Sequence, residues 1–390
     1  MNFDIVIVGG GLVGASLAAA LKHSRLKLAI VESQSSLMRG DVQAADDWDS
    51  RIYAISPGSR CFLEQSGAWS LMDTARIEPV EEMRVFGDTG AELDFSAYQM
   101  GVPELACILE NRELHQALWQ VLQNQENLTV ISPAHCASLK TGEDAAELKL
   151  EDGRILTARL VVGADGRDSW VRSQAGISAA PVDYHQHGVV ANFTVEKPHR
   201  NIAWQWFQPD GILALLPLPG NRVSMVWSVS PERSVELLAL THEELCASVS
   251  AAARHTLGQM SVITPAAAFP LRLLVLPQIT SQRVALIGDA AHNMHPLAGQ
   301  GVNTGFRDAR QLALELNEQG AQFDCGDAVL LRRYERKRKE DIYSMQATTY
   351  GLKQLFNNDV PLLGALRNAG LALTNRIIPL KKMLMRHALN

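Results

Sequence analysis

The first 32 residues constrain this chain more than any other stretch. Ile5-Val6-Ile7-Val8 is a β-branched run without a polar interruption, the pattern of a parallel strand buried on both faces. It leads into Gly9-Gly10-Gly11-Leu12-Val13-Gly14, a G-x-G-x-x-G pattern, and an alanine-rich helix is expected from about Val13 to Lys22. A second strand, Leu26 to Val31, ends in Glu32. Each piece has a task in a dinucleotide site. Gly9 permits a tight turn, Gly11 lets the backbone approach a pyrophosphate, and Gly14 lets helix and strand pack closely. The helix N-terminus at Leu12 and Val13 offers oriented N–H groups and a positive dipole end. Glu32 can accept a hydrogen bond from a ribose hydroxyl. Glycine-rich turns are common, but here strand, helix, second strand and terminal acid follow in order. The pattern itself does not separate FAD from NAD.

Two later segments repeat the theme of a buried strand ending in an acid. Leu160-Val161-Val162-Gly163 runs into Ala164-Asp165-Gly166, where Asp165 either meets a ligand at the strand's carboxyl edge or caps the helix expected near Ser169. Before it, Asp152-Gly153 offers a hairpin turn. Arg283 to Ile287 reads as a strand followed by Gly288-Asp289-Ala290-Ala291-His292. A loop then leads through His295, Pro296, Gly299, Gln300 and Gly301 to a helix expected from Val302-Asn303 to Gly320. Asp289 could hold a ribityl hydroxyl, and the helix entry from Gly299 to Asn303 could aim N–H groups at a flavin's N1–C2=O edge.

Composition narrows the class. Hydrophobic residues make up 47% and charged residues 20%, with a formal net charge of −6, so nothing suggests a nucleic-acid partner. The five cysteines are scattered without a C-x-x-C pair, which argues against a disulfide framework or a zinc site and fits a reducing compartment. No metal-ligand spacing appears. Met1-Asn2-Phe3-Asp4 lacks a basic leader, and no apolar run approaches the roughly 18 residues that span a bilayer. The expectation is a cytoplasmic protein, either free in solution or held at the inner face of the membrane.

Three motifs in order, Gly9 to Gly14, Gly163 to Gly166, and Gly288-Asp289 through Gly301-Val302-Asn303, resemble the class A flavoprotein aromatic monooxygenases of the para-hydroxybenzoate hydroxylase fold. Within that group the chain is similar to the bacterial ubiquinone-biosynthesis hydroxylases. Arg51-Ile52-Tyr53-Ala54-Ile55-Ser56, Leu109 to Leu114, Trp204 to Gly211 and His295 to Asn303 carry this further likeness. The resemblance implies an α/β fold: a Rossmann-like FAD-binding domain, an inserted antiparallel-sheet substrate domain, and a helical C-terminal tail. The expected boundaries are 1–80, 104–178 and 272–330 for the first, 81–103 and 179–271 for the second, and 331–390 for the third. It further implies FAD as cofactor, NAD(P)H as co-substrate without a second nucleotide-binding domain, and oxygen transfer from O₂ to a polyprenylated phenol through a flavin C4a-hydroperoxide. Asp165 would touch both FAD and NAD(P)H, and Arg51 and Arg112 would lie against FAD, the alternative for each arginine being an ion pair. His295 and Pro296 would border the reacting face, with His295 either a proton donor or a packed loop residue. Other ubiquinone-biosynthesis proteins are candidate partners. The rival readings are a flavin enzyme for another lipid or aromatic compound, and a non-catalytic prenyl-binding relative.

Between about Gly188 and Val229 four strand-like runs, Val189–Val195, Ile202–Phe207, Ile212–Leu216 and Val223–Val229, are separated by turn formers. They predict an antiparallel sheet, one face of which would wall the substrate pocket with apolar and aromatic side chains. Trp204-Gln205-Trp206 is similar to the tryptophan pair of flavin-dependent halogenases, but Gln208 stands where that signature has Ile. Packing on one strand face explains the pair equally well. Arg332-Arg333 and Arg336-Lys337-Arg338-Lys339 read as a solvated face. Residues 360–390 carry Arg367, Arg376, Lys381, Lys382 and Arg386 and no acid. They form either a packed basic helical pair or a membrane-surface contact.

Overall fold

The computed structural model describes residues 1–34, 47–87, 91–178, 182–293, 300–318 and 323–356, with side chains to Ala347. The expected sites at His295, Pro296 and Gly299, the helix stop at Gly320 and the basic segment 360–390 lie outside these residues.

The N-terminal strand, Asn2–Val8, lies in the middle of a mixed sheet. Leu28–Val31 and Ile155–Gly163 flank it in parallel, and Leu128–Ile131 and Val284–Leu286 extend the parallel set outward. The expected hairpin at Asp152-Gly153 joins Ala146–Leu150 to Ile155–Gly163. Ile5, Val6 and Ile7 are fully buried, as a strand covered on both faces requires. The helix Leu12–Ala20 packs on one side, against the helix Gln300–Asn317. Gly305 permits that contact, because a Cβ there would meet Val13 Cγ2 at 2.6 Å.

A second, largely antiparallel sheet is built from Val182–Val195, Arg222–Val229, Gly211–Leu218 and Ile202–Gln208, in that spatial order. Glu82–Phe86 and Glu92–Ser96, far away in sequence, extend it beyond Ile202–Gln208. Alternation gives this sheet two unlike faces. Trp204, Trp206, Trp227, Leu213, Leu215 and Met225 pack into a core with residues of the helices Pro231–Ala239 and His242–Ala252. Trp206 is 1% exposed and stacks on Phe86 with ring centroids 5.7 Å apart, so the two tryptophans of Trp204-Gln205-Trp206 are core residues of one face. The opposite face turns toward the parallel sheet. A small three-stranded sheet, Ile52–Ile55, Ala106–Glu110 and Glu78–Val80, completes the fold.

The long helix Ala328–Phe356 grips the segment from 274 to 293 through its backbone. Tyr334 Oη donates to Leu286 O (2.9 Å), Tyr343 Oη to Leu276 O (3.1 Å) and Gln346 Nε2 to Leu274 O (2.8 Å). Glu335 Oε2 accepts from the N–H groups of Ile279 and Thr280. The basic run on this helix is a solvated face only in part: Arg332 and Arg336 are exposed, but Arg338 is 5% exposed, Lys337 pairs with the buried Glu315 at 2.8 Å, and Arg333 pairs with the same carboxylate. Their acidic partners come from the preceding helix, a tertiary contact that local charge pattern does not reveal.

Candidate active site

Because the strands Asn2–Val8, Leu28–Val31, Ile155–Gly163 and Val284–Leu286 run in parallel, their carboxyl ends share one edge. That edge gathers residues 9–14, Glu32, residues 163–166 and residues 288–289, though they are scattered over 280 positions of sequence. Gly9 takes φ +105°, and a Cβ on it would meet Ala164 O at 2.4 Å. A Cβ on Gly14 would meet Gly9 O at 2.1 Å. The turn is therefore closed tightly on itself. Glu32 Oε2 accepts from Gly10 N–H at 2.7 Å, and Oε1 from Gln34 N–H at 2.9 Å. Trp119 Nε1 donates to Gly10 O at 2.9 Å. His115, one helical turn before Trp119, lines the cavity described below; burial pushes its pKa down against the raising influence of Gly10 and Glu32. The sequence reading passed over both residues, since their i, i+4 spacing on Asn111–Gln123 looks like any half-buried helix face.

At the other end of the edge, Gly288 adopts φ +60° and its N–H donates to Asp308 Oδ2 at 2.9 Å. Asp308 is fully buried. His292 Nε2 lies 2.6 Å from the same Oδ2, and Arg338 Nε donates to Oδ1 at 2.6 Å. Burial alone would raise the Asp308 pKa, but the charges and hydrogen bonds of His292 and Arg338 hold it below the usual range. The cluster fixes the turn that presents Asp289. Asp289 opens into the cavity and is otherwise enclosed by protein. That enclosure pushes its pKa up, partly offset by His292, Arg51 and Arg167.

The helix expected from Val302 begins at Gln300. Gln300, Gly301 and Val302 line the cavity. Asn303 has another engagement: its Oδ1 accepts from Ser56 N–H (2.9 Å) and its Nδ2 donates to Ala54 O (2.8 Å). It ties the helix entry to Ile52–Ile55, the strand that follows Arg51. Arg51 lines the cavity, with its guanidinium 5.8 Å from the Tyr53 ring.

Two residues expected at ligand contacts have partners within the protein. Asp165 Oδ1 accepts from Ser169 Oγ at 2.5 Å and Oδ2 from Val171 N–H at 2.9 Å, so its carboxylate caps the short helix Trp170–Gln174. Ala164, Gly166 and Arg167 line the cavity beside it. Arg112 is held in an ion-pair cluster, with Nη1 3.1 Å from Asp47 Oδ2 and Nη2 3.4 Å from the buried Glu110. Asn111, its neighbour, lines the cavity.

The cavity, about 1040 Å³, extends from this edge to the free face of the second sheet. Its wall there is made mainly of small and aliphatic side chains, among them Val190, Ala203, Ala214, Leu216 and Val226, with Gln205 and Ser224. This corrects the expectation of an aromatic wall. Strand alternation sends most of the sheet's aromatics to the other face; Phe269 reaches the cavity, and Trp204 does so while packed in the core behind.

FAD fits this frame. Gly11 and Gly301 stand at the N-termini of two helices of nine and eighteen residues, both facing the cavity, and a Cβ on either would meet no described atom within 4 Å. Each offers backbone N–H groups to an extended anionic ligand without a side chain in the way. Among the described residues no group of three or more His, Cys, Asp or Glu side chains could hold a metal ion.

Fold and site together define an FAD-binding flavoprotein. The chain belongs to the FAD binding domain family, whose profile matches residues 2–347. Ubiquinone hydroxylase UbiL of Rhodospirillum rubrum is 36% identical over 389 residues, covering 99% of this chain and 89% of that protein. The 3-demethoxyubiquinol 3-hydroxylase of Escherichia coli is 35% identical over 390 residues, covering 99% and 98%. Among solved structures, Pseudomonas aeruginosa PqsL in complex with 2-aminobenzoylacetate superposes with a TM-score of 0.78 at 23% identity, over 95% of this chain and 99% of that one. That last likeness is one of fold.

Proposed function

We propose that this chain is an FAD-dependent monooxygenase that hydroxylates the aromatic ring of a polyprenylated phenol in ubiquinone biosynthesis, with NAD(P)H and O₂ as co-substrates. One observation carries the reading: the cavity joins the dinucleotide edge at Gly11 and Glu32 to an aliphatic wall on the second sheet. A cofactor bound along the edge would meet an apolar ring lying against the wall. The names of the Rhodospirillum rubrum and Escherichia coli relatives support the substrate class.

FAD supplies hydride acceptance and oxygen activation when bound. The protein supplies the rest. Gly11, Leu12 and Val13 direct helix N–H groups to the pyrophosphate, and Glu32 takes a ribose hydroxyl. Asp289 takes a ribityl hydroxyl, and Arg51 offers a positive charge beside it. Gln300, Gly301 and Val302 aim a helix N-terminus at the flavin edge where negative charge gathers on reduction. Asp165 acts indirectly, by holding the turn at residues 164–166. The wall excludes water from the reacting ring. We also propose cytoplasmic work at the inner membrane face, where such a substrate dissolves; among the described residues no helix is long and apolar enough to cross a membrane.

The test is the visible spectrum of the purified protein, followed by anaerobic NAD(P)H addition with and without a ubiquinone-precursor phenol. The expected result is a bound-flavin spectrum that bleaches faster when the phenol is present. A colourless protein that fails to take up added FAD would overturn the proposal.

A further inference from the structure

On the reading of the carboxyl edge as an FAD site, we infer that the phenol of Tyr53 packs against the flavin ring itself and quenches the fluorescence of the bound cofactor. Tyr53 thereby serves the cofactor, although it lies on a strand whose neighbouring side chains serve the second sheet.

Strand alternation decides which ligand Tyr53 meets. Ile52–Ile55 runs antiparallel to Ala106–Glu110, with Tyr53 opposite Leu109. Successive side chains on such a strand point to opposite sides. Ile52 and Ala54 pack against the cluster of Ile108, Ala203 and Leu218, which joins the small sheet to the second sheet. Tyr53 and Ile55 belong instead to the core that contains Ile5, Val161 and Phe306, under the parallel sheet. Tyr53 therefore faces the nucleotide-binding body, and it lines the cavity on that side.

Its neighbours put it at the flavin end of the edge. The Arg51 guanidinium stands 5.8 Å from its ring. Asn303 grips the main chain just beyond it, at Ala54 O (2.8 Å) and Ser56 N–H (2.9 Å), and so fixes this strand to the helix entry where Gln300, Gly301 and Val302 line the cavity. The charge of Asp289 reaches the hydroxyl as well. Burial pushes the Tyr53 pKa up, Arg51 pulls it down, and Asp289 and Asp49 add to the rise, so the phenol keeps its proton at neutral pH. A neutral, electron-rich ring held in this place is suited to offset packing on an electron-poor one, which the oxidised flavin is. In such contact an excited flavin takes an electron from the phenol and returns it as the pair decays without emission, with no net oxidation of either. The ring of phenylalanine holds its electrons too tightly for that exchange. Trp204 also lines the cavity, but it is packed in the core of the second sheet, across from the nucleotide edge.

The test is time-resolved flavin emission from the oxidised holoenzyme of the wild type, Tyr53→Phe and Tyr53→Leu, with FAD affinity measured by titration of each apoprotein. The wild type is expected to show a fast decay that Tyr53→Phe lengthens severalfold, with melting temperature and FAD affinity close to those of the wild type. Tyr53→Leu should share the long decay and, having lost the aromatic contact, bind FAD roughly threefold to tenfold more weakly. A tyrosine that only packs in the protein core would leave the decay unchanged in Tyr53→Phe. That result, or wild-type FAD affinity in Tyr53→Leu, would overturn the inference while leaving the FAD reading intact. A wild-type apoprotein that takes up no FAD would overturn both.

Discussion

Along the carboxyl edge of the parallel sheet the cavity is bounded largely by backbone: two helix N-termini and three tight turns, with glycine wherever a side chain would intrude. Across from it, the second sheet bounds the same cavity with side chains that are individually ordinary. The two boundaries recognise by different means. Backbone recognition demands particular residues, because only glycine satisfies the contacts at Gly9 and Gly14. An aliphatic wall demands only volume and the right strand face, and many residues meet that requirement. A substitution at the edge should therefore act on FAD or on the fold itself, and one on the wall on the substrate alone.

The strongest challenge to that division is Arg338→Met. It touches neither boundary but strands the Asp308 charge behind Gly288, and should cost about 3–5 kcal/mol, read by chemical unfolding, with FAD loss following. If FAD affinity survived in the folded fraction, the turn at Asp289 would not depend on this cluster. Next comes a pair of glycines. Gly14→Ala places a Cβ 2.1 Å from Gly9 O and should destabilise the apoprotein by about 3 kcal/mol. Gly11→Ala meets open space, so apoprotein melting should be unchanged while FAD binds several-fold more weakly. Equal melting of the two variants would refute the separate roles given to these glycines.

Asp289→Asn sharpens the contrast through pH. The folded-state pKa is raised by enclosure, so ionising this carboxyl costs the apoprotein stability as pH rises from the unfolded value near 4 through the folded one. The Asn variant should therefore be the more stable apoprotein at neutral pH, with the difference vanishing below about pH 4. It should also bind FAD roughly tenfold more weakly. Thermal melts across pH and FAD titration check the two halves separately. The smallest effect belongs to the wall: Val226→Ala should leave FAD affinity within about twofold of wild type and alter only phenol binding, since packing losses of this size are local.

The same contrast explains what could be read before the fold was known. The opening unit, the acids ending three strands and the four strands of the second sheet follow from short-range pattern, and the structure places them within a few residues of expectation. Asp165 and Arg112 were harder, because an acid at a strand end suits a helix cap or a ligand equally, and an arginine suits an ion pair or a cofactor equally. Arg338 looked solvated since its partner Asp308 is 30 residues distant. The second sheet was expected to wall the pocket with one face, but its aromatic character was misassigned for a simpler reason: the tryptophans lie mainly on the face packed against helices, and the face toward the cavity carries small and aliphatic residues.

The helix Ala328–Phe356 holds the segment behind Asp289 from a single stripe: Tyr334, Glu335, Arg338, Tyr343 and Gln346. Most of these bonds end on main-chain groups, so for residues 274–287 the hydrogen-bonded part of the grip, apart from Thr280, asks for no particular side chain beyond what the core's packing requires. Length is another matter. One residue inserted between Glu335 and Arg338 would turn everything after it by about 100°, carrying Arg338, Tyr343 and Gln346 away from their partners together. In descendants of this chain, that stretch should accept exchanges of residue far more readily than a change in their number.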